Sequence, residues 1–210
     1  DRMWQAMRDV AERKPLIVSV GDMAASDGYY LASAGQDIIA QPNSILGSIG
    51  VVGGKISFAA AMTRWGIHAE TLTRGQNAAW ATVTRTFSDT ERTALQRMMD
   101  ATYERFLQRI ATGREMAIDQ IHPHAEGRIF SGTDALEYRL IDRLGTLEDA
   151  ITLARERAHL PTSSDIRRWP SRRTLLELLA LGLGGTQAIA VSNRTPTQPQ
   201  FSEASLVWSV

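Results

Sequence analysis

The sequence predicts an α/β domain, and three observations carry that prediction. LIVSV at 16–20 is a short apolar run of strand length, and DIIAQ at 37–41 is another short strand pattern. Met3, Trp4, Met7, Val10 and Ala11 recur at helical spacing before the first run, and Leu95, Met98, Met99, Phe106, Leu107 and Ile110 recur the same way further on. Glycine-containing turns separate the two kinds of pattern. Helix, strand, glycine turn, helix is the rhythm of an α/β layer.

Each element follows from its residues. Pro15 stops the first helical pattern, and LIVSV then reads as a buried strand. Gly21 and Asp22 make a turn. Residues 23–34 are rich in small side chains and read as a tight turn into a closely packed helix. DIIAQ is a second strand, broken by Pro42 and Asn43. GSIGVVGG at 47–54 has glycines spaced for close backbone approach. Residues 56–65 read as a helix and HAETLTR at 68–74 as a strand. Residues 75–87 have no period and read as an excursion or lid.

Ser88 with Glu91 is a capping-box pattern opening a long amphipathic helix, which Thr112 and Gly113 are expected to end. Ile118 and Ile121 mark a short helix, and RIFSG at 128–132 a strand and turn. Ser131 with Asp134, and Thr146 with Asp149, repeat the cap pattern, the last leading a helix to about His159. The domain is expected to span 1–160, followed by a tail at 161–210. That tail is basic at 167–173 (RRWPSRR), apolar at 174–185 (TLLELLALGLGG), and then rich in Ser, Thr, Pro and Gln. Two readings stay open for it: a segment lying on an anionic membrane surface, or a helix docked on protein and followed by disorder.

Composition narrows the function. The chain has 210 residues, 43% of them hydrophobic, enough for a real core. The 23 basic residues balance the 23 acidic ones, which argues against a nucleic-acid partner. Cysteine is absent, so disulfides and thiolate metal sites are excluded. No apolar run reaches the roughly 20 residues that span a bilayer, and residues 1–15 have no signal-peptide character. Targeting information is expected upstream or on a partner. Only Lys14 and Lys55 are lysines.

Ser26 is the candidate nucleophile. It follows an apolar strand and a glycine turn, at the expected start of a helix, with Ala24, Ala25 and Gly28 around it. Small neighbours expose the hydroxyl, and the backbone N–H groups of a helix start can meet a developing negative charge. GxSxG is absent, although the strand–turn–helix logic is shared. A serine helix cap is the competing reading.

SVGDMAASDGYYLASAGQDIIAQPNSILGSIGVVG at 19–53 closely resembles the signal peptide peptidase A family of serine proteases. FSGTDALEYRLIDRLGTLEDAI at 130–151 resembles that family's closing segment, so the resemblance covers about residues 3–159. It implies a ClpP/crotonase-like spiral fold, here incomplete on the N-terminal side. The motif matched by AASDGYY makes Ser26 the nucleophile of a serine–lysine dyad. It implies a serine endopeptidase acting on released signal peptides and other apolar peptides, assembled as a homo-oligomer, without cofactor or metal. Location at the bacterial cytoplasmic membrane follows, peripheral or anchored by a segment outside this chain, with the catalytic domain extracytoplasmic.

The resemblance also implies the rest of the site. The oxyanion hole falls to the backbone of Asp27 and Gly28, joined in the family by a donor from an upstream proline–glycine–glycine segment. Gly47, Ser48, Ile49, Gly50 and Val51 fall along the substrate groove, where an extended peptide pairs with backbone groups. The family's lysine would lie near Ala78, within RGQNAAWATVTRTFS. No lysine is there, and Arg74 and Arg85 cannot serve as a base. The chain therefore resembles the second, serine-bearing copy of a two-copy member, with the lysine supplied by an upstream domain or second chain. Lys55 is read as a surface or interface residue and Lys14 as structural, at a helix end.

Asp27 replaces a glycine common in the family and puts a negative charge beside the nucleophile. It favours the alternative of an inactive peptide-binding or scaffold module of the same fold. An acyl-CoA enzyme of the crotonase type is a third reading, with no adenine or phosphate site to support it. His68, His122, His124 and His159 read as loop histidines, Asp142 as a cap or turn residue, and Trp80 as a weak candidate substrate contact.

Overall fold

In the computed structural model, residues 1–169 and the backbone of 206–209 are described. The chain opens with α1 (Arg2–Ala11), β1 (Leu16–Val20), β2 (Met23–Ala25), α2 (Asp27–Ala32), β3 (Asp37–Ala40) and β4 (Ile45–Gly47). α3 (Ala59–Arg64), α4 (Asp89–Arg114), α5 (Ile118–Ile121) and a 3-10 turn at His122–His124 follow. β5 (Ile129–Phe130), α6 (Gly132–Glu137), β6 (Arg143–Leu144), α7 (Leu147–Arg157) and β7 (Leu206–Ser209) complete it.

Two sheets organise these elements. One has four parallel strands in the order β6-β3-β1-β7; the other has three in the order β2-β4-β5, with β5 antiparallel to β4. All five residues of β1 and all four of β3 are buried. Successive side chains on a strand point to opposite faces, so β1 and β3 must be covered on both. Val18, Val20, Ile38 and Ala40 join Tyr29 of α2 and Phe106, Leu107 and Ile110 of α4 in the larger core. Ile17 and Ile39 pack on the other face against Ala150, Leu153 and Ala154 of α7. The continuous apolar runs are thus central strands of a parallel layer.

The three helix starts expected from capping boxes are realised, whereas the helix expected from residue 56 begins at Ala59. Ser88, Ser131 and Thr146 each accept the backbone N–H three residues on, and Glu91, Asp134 and Asp149 each accept the N–H of the cap. The helix end expected at Gly113 is not. α4 runs to Arg114, and Glu115 takes the left-handed turn at φ 50°. Gly113 is a contact residue: a Cβ there would collide with the carbonyl of Ser33, where α2 ends against α4. Trp4 closes the same corner, its indole N–H donating to Ser33 Oγ at 3.0 Å.

Two further expectations are corrected. Residues 68–74 form no strand; they are exposed and have no partner strand, without which an extended segment has nowhere to place its backbone hydrogen bonds. Within the segment read as the tail, the backbone of Leu206–Ser209 pairs with β1 in parallel. The apolar stretch at 174–185 lies outside the described residues. Asp142, read as a turn residue, is an ionic clasp: it accepts both terminal nitrogens of Arg114 at 2.9 and 2.7 Å and the N–H of Ile38 at 2.7 Å.

Gly113→Ala is expected to destabilise the domain by about 1–3 kcal/mol in urea unfolding, because overpacking against Ser33 outweighs alanine's helix-propensity advantage of up to about 1 kcal/mol. A stability gain would mean that α2 and α4 do not approach as described.

Candidate active site

Ser26 forms the turn between β2 and α2, at φ 52° and ψ −120°. For a residue with a Cβ this lies outside the favoured backbone wells, and such strain costs on the order of 1–3 kcal/mol. The neighbouring structure holds it there. The Ser26 N–H donates to the Gly47 carbonyl at 3.0 Å, and the Ser26 carbonyl accepts the Tyr30 N–H at 2.8 Å. β2 pairs with β4 so that Ala25 stands beside Gly47. Tyr29 is fully buried, its hydroxyl donates to the Leu140 carbonyl at 2.7 Å, and burial pushes its pKa up. α2 is therefore pinned, and the turn cannot unwind into an ordinary helix start.

The Ser26 side chain is exposed and caps nothing, so the helix-cap reading is not realised. Asp27 is also exposed and Gly28 half-buried, both in the first turn of α2. Backbone N–H groups at a helix start have no intrahelical acceptor. A strained strand-to-helix turn that presents a free hydroxyl beside such donors is the geometry of a nucleophile elbow.

Next to Ser26 runs the segment expected to form the groove. Gly47 and Ser48 both have positive φ, 90° and 49°. The Ser48 N–H donates to the Arg128 carbonyl at 2.7 Å, and the Ile49 carbonyl accepts the Gly127 N–H at 3.0 Å. A Cβ on Gly47 would sit 2.8 Å from the Arg128 carbonyl oxygen, and one on Gly50 2.8 Å from the Gly127 nitrogen. These glycines are set by the close approach of residues 126–130. Ser48, Gly50 and Val51 are half-buried beside the elbow, whereas the Ile49 side chain belongs to the core and leaves only its backbone for a ligand.

The basic residues lie elsewhere. Ala78 is exposed in the loop at 75–81. Lys55 Nζ is buried over the Phe87 ring, 4.4 Å from its centroid, with no hydrogen-bond partner. Arg85, near it in sequence, makes a bidentate pair with buried Glu91 at 2.7 and 2.6 Å. That pair, which sequence reasoning missed, ties the excursion to the start of α4. The Arg85 hydrogen bonds, then the Ser88 N–H, lower the Glu91 pKa from 4.5 to about 2, against a smaller desolvation effect, with Lys55 adding its charge. Trp80 is 46% exposed in the same excursion. His124, read as a loop residue, stacks on Tyr138 at 4.0 Å and meets Phe130 edge-on. Its spacing from Tyr138 carried no signal of that contact.

The sequence profile of peptidase family S49 matches residues 8–161, and the chain belongs to that family. The chloroplastic serine protease SPPA of Arabidopsis thaliana is 34% identical over 85% of this chain and 25% of its own length. The putative protease slr0021 of Synechocystis is 30% identical over 89% of this chain and 72% of its own. Protease 4 of Haemophilus influenzae is 32% identical over 68% of this chain and 23% of its own. The chain thus spans about a quarter of the first and third of these relatives.

The Glu91 pair predicts an acid response. The unfolded carboxylate binds its proton near pH 4.5 and the folded one near pH 2, so stability from this pair is complete above pH 4.5 and is lost as pH falls towards 2. Glu91→Gln is expected to be less stable than wild type at pH 7, with the gap narrowing below pH 4.5. An equal gap at pH 3 and pH 7 in denaturant unfolding would contradict the ion pair.

Proposed function

We propose that the chain is the serine-bearing half of a serine endopeptidase that cleaves released signal peptides and other apolar peptides through an acyl-enzyme on Ser26. The observation that carries this is the Ser26 turn: strained, clamped, exposed and free of any capping role. Ser26 Oγ attacks the peptide carbonyl, and a neutral lysine amine takes its proton and returns it to the leaving amine. The Asp27 and Gly28 N–H groups face the developing oxyanion. The lysine comes from an upstream domain or second chain, a reading supported by the lack of lysine near Ala78 and by the placement of Lys55 over Phe87. Gly47, Ser48, Ile49, Gly50 and Val51 offer backbone groups to an extended substrate.

The fold proposed is the ClpP/crotonase-like spiral, and the two sheets are consistent with it. A homo-oligomer is supported by the excursion between β4 and α4. Val52, Trp65 and Leu72 are 97%, 73% and 89% exposed there, and α3 buries no residue, a surface that a neighbouring subunit would cover. The site of action proposed is the bacterial cytoplasmic membrane, peripheral or anchored by a segment outside this chain, with the domain extracytoplasmic. Among the described residues no helix is long and apolar enough to cross a membrane.

A second reading, a peptide-binding module without turnover, is favoured by Asp27, whose negative charge beside the oxyanion position opposes catalysis. Fluorophosphonate labelling separates the two. The natural full-length product should label at Ser26 at least about 100-fold faster than this chain alone, the scale of a lost general base, and Ser26→Ala should not label. Peptide binding without labelling of either form would favour the module.

A further inference from the structure

The two segments that build the candidate site, 23–36 and 41–54, contain a single side chain that is charged at neutral pH, Asp27. Lys55, the next charge along the chain, buries its Nζ over the Phe87 ring. Arg128, whose carbonyl accepts the Ser48 N–H, commits its guanidinium to the Pro123 carbonyl at 3.0 Å. One negative charge thus stands in an otherwise uncharged site, one residue from Ser26.

The fold makes no use of that charge. Glu91, Asp134 and Asp149 each accept the N–H of a helix cap, and Asp37 and Asp142 pair with Arg157 and Arg114. Asp27 is exposed, and among the described residues its carboxylate enters no hydrogen bond and no ion pair. It does not cap α2: it is the first helical residue, and the Ser26 N–H goes to the Gly47 carbonyl. The attraction of an exposed carboxylate to the dipole of a helix start is weak, and α2 has only six residues. Beside a nucleophile the charge has a cost, since a neighbouring anion raises the energy of the oxyanion. A cation brought by the substrate cancels that cost during the attack.

We propose that Asp27 is a specificity-determining residue, selecting peptides that carry a lysine or arginine within two residues of the scissile bond. The inference rests on the reading of Ser26 as nucleophile. Consecutive Cα atoms are about 3.8 Å apart, and an extended peptide advances about 3.3–3.6 Å per residue. A long cationic side chain within two residues of the attacked carbonyl therefore reaches the carboxylate next to Ser26. The glycine-rich segment at 47–51 offers it no competing anion and no cation to repel it. An acidic side chain in the same place adds to the repulsion, so the selection works by attraction and by exclusion together.

The test uses the natural full-length product and fluorogenic peptides of one apolar sequence, with Lys, Gln or Glu placed at each of the two positions on either side of the scissile bond. At one or more positions wild type is expected to favour Lys over Glu by at least about fivefold in kcat/KM, the scale of one exposed ion pair, with Gln between them. Added salt should narrow the gap. Asp27→Asn should erase the preference, and Asp27→Lys should invert it. Fluorescence anisotropy of the same peptides on Ser26→Ala, with and without Asp27→Asn, reads the order without turnover. If wild type cleaves no peptide but binding shows a Lys-over-Glu order that Asp27→Asn removes, charge selection holds and the peptidase reading fails. Lys-to-Glu ratios that are the same with Asp27 and with Asp27→Asn, in cleavage and binding alike, would overturn the proposal.

Discussion

The hydrogen bond from the Ser26 N–H to the Gly47 carbonyl is the constraint on which the site depends. It locks the first strand of the small sheet to the glycine-rich segment at 47–51, and it holds a residue with a Cβ at positive φ. Strain of about 1–3 kcal/mol at one residue survives only where the surroundings over-determine it. Here they do: the β2–β4 pairing on one side, buried Tyr29 on the other, and β1 feeding into the turn from the parallel sheet.

Much of this was legible in the sequence because it rests on short-range rules. LIVSV and DIIAQ are mostly apolar over a strand's length, the pattern of a strand covered on both faces. The three helix starts are written in pairs three residues apart, as the capping box demands. Ser26 was legible through its small neighbours and the AASDGYY motif. Its dihedral angles were not, since they are imposed by Gly47, more than twenty residues away.

What sequence reasoning missed is long-range or collective. Gly113 looked like a helix stop because glycine often ends helices, but its role is steric and concerns Ser33, a residue no local window contains. Residues 68–74 had the composition of a strand and lacked a partner. Arg85 was weighed only as a failed base, whereas it neutralises Glu91 and anchors the excursion. The pairing of Leu206–Ser209 with β1 spans nearly the whole chain.

Ser26 is held in a backbone conformation costly for any residue with a Cβ. Comparing the unfolding free energies of Ser26→Gly and Ser26→Ala tests it most directly. Neither variant has a nucleophile, so only the backbone differs. The glycine variant is expected to be the more stable by about 1 kcal/mol, relief of strain exceeding glycine's extra unfolded-state entropy. A glycine variant less stable than the alanine variant by about 0.5–1 kcal/mol, the difference expected at a relaxed position, would contradict it.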